Sequence, residues 1–234
     1  MARFDPARLP PVAPGESPVN PVPLAALLLF LLIAGVEVVL SLAGAGALGG
    51  REGIGWRVGA IEDWAVSPDL VAWGLEGHPG VLGRLFTFPF VHAGPMHALV
   101  GGAIVLALGK VVGEAVGNLA VLVVFLLAGA AGGLLFGLLL DGPVPLYGCY
   151  PGAYGLIGAY TLLLWLRLGQ RGANRLMAFR LIAALLAVQF VFAVLFGGSP
   201  AWIADLGGFL AGLVLLVPFV PAARRALGER LRAR

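Results

Sequence analysis

Apolar residues are concentrated in six long runs that are separated by short polar or glycine-rich segments. The first run, Val22 to Leu48, is longer than the roughly 20 residues that a helix needs to cross the hydrocarbon core of a bilayer. The pattern predicts an all-α membrane protein in which residues 22–220 form a bundle of six transmembrane helices. The five later runs lie at 93–112, 118–140, 145–168, 178–197 and 201–220.

Polar residues interrupt this pattern mainly in one long segment, residues 49–91, between the first and second helices. The segment holds five acidic residues, three arginines and the tryptophans Trp56, Trp64 and Trp73. Because indole rings favour the headgroup region of a bilayer, this loop is predicted to contain short helices that lie near the membrane surface.

The composition excludes several classes of protein. Only 12% of the 234 residues are charged, 60% are apolar and the mean hydropathy is +0.98. A soluble domain carries roughly 25% charged residues, so a soluble enzyme and a disordered regulator are both excluded. The single cysteine, Cys149, excludes a disulfide scaffold and a multi-cysteine metal site. The net charge of +3 does not indicate nucleic-acid binding, because most arginines lie in short loops or at the C-terminus.

The arginines also predict the orientation. They cluster before the first helix, between the fourth and fifth helices and after the sixth, whereas the connections at 141–145 and 197–201 contain no arginine or lysine. The positive-inside rule then makes both termini cytoplasmic and the loop at 49–91 external. Residues 1–21 are predicted to be a disordered proline-rich tail and residues 221–234 a basic tail. The excess of arginine over lysine, with abundant alanine, glycine and leucine, indicates a GC-rich bacterial genome and hence the inner membrane.

Glycine accounts for 36 residues, and several are spaced four apart within the predicted helices. Such stripes of small residues let helix backbones approach closely. The third, fourth and sixth helices are therefore predicted to cross tightly, and the fifth, which carries bulky phenylalanines, to lie at the periphery. The stripes are Gly129-Gly133-Gly137, Gly148-Gly152 and Gly208-Gly212.

Polar groups at membrane depth are costly and are functional candidates by default. Four of them, His92, His97, Tyr150 and Asp205, lie where the second, fourth and sixth helices would meet at the external side. Glu37 lies inside the first helix, where it is expected to face the bundle or to reach the interface. Its position alone indicates no function.

Three segments around these residues resemble motifs of the rhomboid family of intramembrane serine proteases. The run FTFPFVHAGPMH, which ends at His97, is similar to the His-x4-His-x3-Asn motif at the start of the family's second helix. The segment Gly148-Cys-Tyr150-Pro-Gly lies where rhomboids carry Gly-x-Ser-Gly. The segment Ala204-Asp205-Leu-Gly-Gly208-x-x-x-Gly212 is similar to their Ala-His-x-x-Gly-x-x-x-Gly. The resemblance covers about residues 80–220 and implies the rhomboid fold, with a long loop between its first two helices.

The resemblance also implies that catalytic groups are missing. Carried over position by position, the nucleophilic serine falls on Tyr150, the general-base histidine on Asp205 and the oxyanion-stabilising asparagine on Gly101. The oxyanion histidine is retained as His97, and the histidine that braces the loop against the second helix is retained as His92. A rhomboid-type reaction needs a hydroxyl whose proton a neighbouring imidazole takes, so the chain is expected to be a degenerate member, a pseudoprotease.

Other roles for these side chains remain open. Cys149 is one residue from the nucleophile position and is rotated from it by about 100° around the helix axis, so space filling is favoured over reactivity. His92, His97 and Asp205 would be three donors for a metal, but packing and loop bracing are favoured, and neither a metal nor a cofactor is predicted. A further hypothesis is that the Tyr150 hydroxyl donates to Asp205 and closes the former cleft.

These observations predict a rhomboid-like protein that lacks peptidase activity and binds transmembrane segments of client proteins, with the lipid bilayer as its other partner and no nucleic acid. The alternative is an active rhomboid-type intramembrane serine-type endopeptidase that uses non-standard residues. A transporter or channel is disfavoured, because the helices hold few polar residues and no repeat relates the two halves of the chain.

Overall fold

A computed structural model describes residues 21–220 of the 234-residue chain. The predicted tail at 221–234, and all of the tail at 1–21 except Pro21, lie outside the described residues. The described part contains six helices of 14 residues or more. They are α1 (Leu24–Gly44), α5 (Pro95–Val116), α6 (Asn118–Leu139), α7 (Tyr150–Gln170), α8 (Arg180–Phe196) and α9 (Trp202–Leu215).

Short helices fill the long loop between α1 and α5, as its tryptophans and charged residues predict. They are α2 (Gly50–Gly53), α3 (Trp56–Trp64), α4 (Pro68–Leu75) and two 3₁₀ segments at Pro79–Phe86 and Phe88–Phe90. Two further 3₁₀ segments, Arg175–Phe179 and Val217–Phe219, precede α8 and follow α9. Between residues 21 and 220 the only β-type pairing is an isolated antiparallel bridge, so the predicted all-α class is confirmed there.

Several helix boundaries differ from the predicted ones. α1 ends at Gly44 rather than Leu48 because the chain turns through glycines in the left-handed region immediately afterwards. α5 continues to Val116, so the predicted separator at 113–117 is wrong except for its last residue. Gly113 lies within the helix and packs against the ring of a proline that precedes α1, where a β-carbon would not fit. The other bounds differ by up to five residues, which is the shift at the start of α7 and at the end of α9.

Four segments are long and apolar enough to cross a membrane: α1, α5, α6 and Trp202–Phe219, which is α9 with its following turn. α8 has only 17 residues, and α7 carries polar side chains along its length, among them Thr161 and Arg167. The described helices therefore belong to an integral membrane protein, and the crossing of the membrane by all six long helices stays a prediction.

The long helices run up and down between two ends of the bundle. At one end, Pro23 lies against Gly113, and Asn118 Oδ1 accepts a hydrogen bond of 3.0 Å from the Ala25 backbone N–H. The opposite end, here called the loop end, holds the loop after α1 and the connection between α6 and α7. The N-terminus of α1 and the C-terminus of α9 therefore both lie at the end of the bundle opposite the loop end. The connection between α7 and α8 lies at that same far end, here called the arginine end.

The centre of the bundle is built from α6, α7 and α9, whose backbones lie against one another. A β-carbon at Gly208 would overlap the Pro151 carbonyl, and one at Gly212 would overlap the Gly155 carbonyl. A β-carbon at Gly132 would likewise overlap the carbonyl of a residue in α9. Glycine at these positions thus permits a backbone-to-backbone approach that any side chain would prevent.

α8 lies at the periphery, as its bulky side chains predict. Among its described side chains, Ile182 on the inner side joins a cluster with Tyr154 and Phe209. On its outer side, Phe190 and Val194 are 69% and 68% exposed. An apolar surface of this kind is what a helix presents to lipid.

Candidate functional site

The residues immediately before α7 are held in place by the loop that follows α1. Val66 and Leu146 exchange two backbone hydrogen bonds of 3.1 and 2.6 Å, and the Gly148 N–H donates to the Phe88 carbonyl at 3.0 Å. These bonds keep the segment extended, which is the reason that α7 begins at Tyr150 instead of at residue 145. The loop therefore positions the residues that the resemblance assigns to the nucleophile motif.

His92 holds the same segment through its side chain. Its Nε2 accepts a hydrogen bond of 3.2 Å from the Cys149 backbone N–H, and the residue is 1% exposed. Burial is the main cause that lowers the pKa of His92 to about 4, and the neighbouring His97 ring adds to it. The ring is therefore neutral at neutral pH and keeps the lone pair that the Cys149 amide needs. His92 thus braces the start of α7.

His97 and Tyr150 face each other in the first turns of α5 and α7. Their rings stack with centroids 4.9 Å apart and 17° between the planes. The Tyr150 hydroxyl donates to the backbone carbonyl of His97 at 3.3 Å, and His97 Nδ1 accepts from the Ala93 N–H at the same distance. Because the lone pair of an imidazole nitrogen lies in the ring plane, a stacked His97 does not direct it at the phenol.

Asp205 lies in the first turn of α9 and is 5% exposed. Its Oδ2 accepts a hydrogen bond of 2.9 Å from Gln189 Nε2 of α8. The hypothesis of a hydrogen bond between Tyr150 and Asp205 is therefore wrong. The two side chains turn to different neighbours, Tyr150 to the backbone of α5 and Asp205 to α8.

Gln189 is a partner that the sequence analysis missed. It is the only polar residue in α8 after Arg180, and that isolation within an apolar run is the signal that would have identified it. Its Oε1 is buried and has no hydrogen-bond partner among the described residues. At the contact between α8 and α9, Gln189 therefore donates one hydrogen bond through Nε2 and has an unused acceptor in Oε1.

Cys149 is completely buried, and burial raises the pKa of its thiol to about 12. Its Sγ lies over Gly101, where an added β-carbon would overlap the sulfur and approach the Tyr150 ring to 3.4 Å. The thiol therefore occupies the space that a side chain at position 101 would need. Cys149 and Gly101 form a packing pair.

Glu37 faces the bundle and is paired, which its position alone does not reveal. Arg57 of α3 makes two charge-assisted hydrogen bonds to its carboxylate, Nη1 to Oε2 at 2.9 Å and Nη2 to Oε1 at 2.7 Å. Ser41 donates to Oε1 at 2.7 Å, and Arg57 Nη1 also donates to the His92 carbonyl at 2.7 Å. This network ties α1, the loop and the candidate site together.

The arrangement has two parts. His92, His97, Cys149 and Tyr150 lie together at the loop end, whereas Asp205 meets Gln189 on the side of α8. In residues 21–220 no group of three or more histidine, cysteine, aspartate and glutamate side chains is placed to hold a metal ion.

The fold and the site define a helical membrane protein with polar side chains held at one end of its bundle. Residues 79–222, more than half of the chain, match the family model of the Rhomboid domain. The chain belongs to the rhomboid family, as the motifs around His97, Tyr150 and Asp205 imply. No curated protein matches the chain.

Proposed function

We propose that this rhomboid-family protein lacks peptidase activity and binds transmembrane segments of other membrane proteins. The proposed lack of peptidase activity is supported mainly by the hydrogen bonding of the hydroxyl at the nucleophile position. The Tyr150 hydroxyl donates to the His97 carbonyl, and no imidazole accepts its proton. Acyl transfer by a hydroxyl nucleophile requires such an acceptor.

Neither Cys149 as a nucleophile nor Asp205 as a base supplies the missing catalytic groups. A thiol attacks as thiolate, and the buried Cys149 has a pKa near 12. Asp205, at the position of the general base, is hydrogen-bonded to Gln189 on the side of α8. The alternative, an active rhomboid-type peptidase with non-standard residues, is therefore left with no activated nucleophile among the side chains described above.

The contact between α8 and α9 supports the second part of the proposal. The unused Gln189 Oε1 and the Asp205 carboxylate lie at an apolar helix junction, where an unsatisfied acceptor is unfavourable. The described side chains on the outer side of α8 are exposed, so displacement of this helix would disrupt few of the contacts described here. A client helix with an amide or ammonium donor at that depth would satisfy these acceptors, and such interhelical hydrogen bonds are worth roughly 0.6–2 kcal/mol.

The proposed setting is the inner membrane of a bacterium, with six crossings and both termini cytoplasmic. The cytoplasmic placement of the termini is supported by the arginine content of the connection between α7 and α8, which lies at the end of the bundle where α1 begins. The loop end would then face the outside.

The absence of peptidase activity is testable with purified protein and a fluorogenic transmembrane substrate. The wild type, Cys149→Ala and His97→Ala are all expected to give the rate of an empty-detergent control. A double variant, Tyr150→Ser with Asp205→His, measures how much of the lost activity the two replacements explain. Cleavage by the wild type that disappears in Cys149→Ala or His97→Ala would overturn the proposal.

Client binding is testable with synthetic transmembrane helices in liposomes, using energy transfer to labelled protein. A Leu/Ala helix with one central Asn is expected to bind several-fold more tightly than the same helix without Asn. The double variant Gln189→Leu/Asp205→Leu should bind both peptides equally. Thr161→Val is a matched control, because it removes a buried hydroxyl that only bonds the Ile157 carbonyl within α7. Equal binding of the two peptides by the wild type would exclude this role for the Gln189–Asp205 pair.

A further inference from the structure

The arginine end carries a dense group of positive charges at the connection between α7 and α8. Four exposed arginines lie within 14 residues of chain, and no acidic residue occurs between Asp141 and Asp205. α7 separates this group from Tyr150 by its full length, roughly 30 Å for 21 residues. The group is therefore remote from the candidate site and independent of the proposed client binding. Its members, here called the arginine cluster, are Arg167, Arg171, Arg175 and Arg180.

Arg175 is the member of the arginine cluster whose guanidinium contacts an aromatic ring. Its guanidinium carbon lies 5.8 Å from the centroid of the Trp165 ring, in cation–π geometry. On its other side it rests against Gly169, where a β-carbon would overlap the guanidinium. The Trp165 ring is itself held edge-on by Phe179, with centroids 5.7 Å apart. The planar group is thus fixed between a backbone and an aromatic ring.

This guanidinium has no anionic partner within residues 21–220. The ion pairs of that part of the chain join Arg57 to Glu37 and Lys110 to Glu114, and no carboxylate pairs with Arg175. A pre-positioned guanidinium presents parallel N–H donors that match two oxygens of a phosphate. The chemistry therefore indicates a phosphate-bearing ligand.

The surroundings of Arg175 favour a lipid over free phosphate. Leu176 and Met177, which follow it directly, are 69% and 39% exposed. The cluster lies where α7 ends and α8 begins, and the topology proposed above, on which this step rests, places that connection at the depth of lipid headgroups. A phospholipid would place its phosphate on the arginines and its acyl chains beside these apolar side chains.

We propose that the arginine cluster binds the headgroup of an anionic phospholipid, one whose phosphate charge is not balanced by an ammonium. Arg175 is the fixed donor, and the three other arginines supply the surrounding positive field that selects net negative charge. A zwitterionic lipid has the same phosphate but carries a cation that this field repels.

The test uses the full-length, delipidated protein in neutral detergent and native mass spectrometry. Phosphatidylglycerol and phosphatidylcholine with identical acyl chains are added separately, and inorganic phosphate is added in a third series. The wild type is expected to retain phosphatidylglycerol over phosphatidylcholine, and Arg175→Ala to lower that retention about fivefold. Trp165→Leu keeps every charge but removes the aromatic support, and should lower retention about twofold.

The matched control is Arg51→Ala, which removes an exposed arginine at the loop end and should leave lipid retention unchanged. Arg175→Lys tests whether a loss in Arg175→Ala is due to misfolding. It keeps the charge without the planar fork, so its retention of phosphatidylglycerol should lie between that of the wild type and that of Arg175→Ala. Equal retention of the two lipids by the wild type, or unchanged retention in Arg175→Ala, would overturn the proposal. Displacement of phosphatidylglycerol by equimolar inorganic phosphate would also overturn it, because the site would then be a phosphate site.

Discussion

At the scale of single residues, the polar groups of the candidate site bond or pack against one another. The Cys149 amide is bound by His92, and its thiol covers Gly101. The Tyr150 hydroxyl is bound to the His97 carbonyl. These contacts join the start of α5 to the start of α7.

The pH dependence of stability is the first prediction at this scale. Because His92 titrates near pH 4 in the fold and near 6.5 when unfolded, the unfolded chain binds an extra proton between these values. Stability is therefore fully present above pH 6.5 and falls as the pH drops towards 4, by up to roughly 3 kcal/mol from this group. Denaturant unfolding of the protein in micelles, measured from pH 7.5 to 4.5, gives the slope of the unfolding free energy against pH.

The variant His92→Asn keeps an acceptor at this position but does not titrate, so it should flatten the slope in that pH window. His78→Asn is the matched control, because His78 is exposed and stacks on Trp73 at 4.4 Å. An unchanged slope in His92→Asn would show that another group carries the pH dependence.

The packing of Cys149 over Gly101 gives a second prediction. Gly101→Ala places a methyl group on the sulfur and is expected to cost about 1–3 kcal/mol of unfolding free energy. Combining it with Cys149→Ala removes the overlap, so the double variant should be more stable than Gly101→Ala alone. Gly35→Ala, in α1, is the control, because a β-carbon there meets nothing within 4 Å and should be neutral or stabilising. If the changes in unfolding free energy of Gly101→Ala and Cys149→Ala simply add in the double variant, the two positions are not in contact.

At the scale of elements, the loop after α1 acts as a scaffold for the start of α7. α3 is fastened to α1 by the Arg57–Glu37 pair, and the segment before α7 is fastened to the loop by Val66 and Leu146. Such long-range contacts replace regular secondary structure in ordering an otherwise irregular segment. The geometry around Tyr150 therefore depends on an ion pair in another helix.

The Arg57–Glu37 pair gives the prediction at this scale. The Glu37 side chain is only 8% exposed, so Arg57→Ala leaves a buried carboxylate without its cation and should cost about 3 kcal/mol of unfolding free energy. The apolar double variant Arg57→Leu/Glu37→Leu is expected to recover part of that loss. Glu114→Gln, in a half-exposed pair of 3.9 Å, should change stability by less than about 0.5 kcal/mol. A loss in the double variant as large as in Arg57→Ala would refute the unpaired-charge explanation.

At the scale of the whole molecule, the alternation of six long helices puts the loop end and the arginine end on opposite sides of the bundle. The exposed apolar side chains of α1 and α8 cover the surface between these ends. The positions of the charges then determine which end faces the cytoplasm.

Labelling of intact cells with a membrane-impermeant maleimide tests the proposed orientation, in which the loop end faces outside and the arginine end faces the cytoplasm. A cysteine introduced by Arg51→Cys at the loop end should be labelled from outside, and one introduced by Ala173→Cys at the arginine end should be labelled only after lysis. The native Cys149 is fully buried and should stay unlabelled in the wild type, which is the control. Labelling of Ala173→Cys in intact cells would invert the proposed topology.

Properties that depend on local sequence were predictable. The apolar runs predicted the long helices, with errors only at their ends, because helix length and lipid exposure follow from composition over a window of about 20 residues. The motifs around His97, Tyr150 and Asp205 predicted the rhomboid family, because their spacing is a property of the chain itself.

The partners of the polar groups were decided by tertiary structure alone. The sequence determined that Glu37, Tyr150 and Asp205 had to find partners inside a helical membrane protein, because an unpaired polar group is unfavourable there. It did not determine that Asp205 pairs with Gln189 or Glu37 with Arg57. Those choices depend on how each helix is rotated and how closely it approaches its neighbours, and both are set only when the whole bundle packs together.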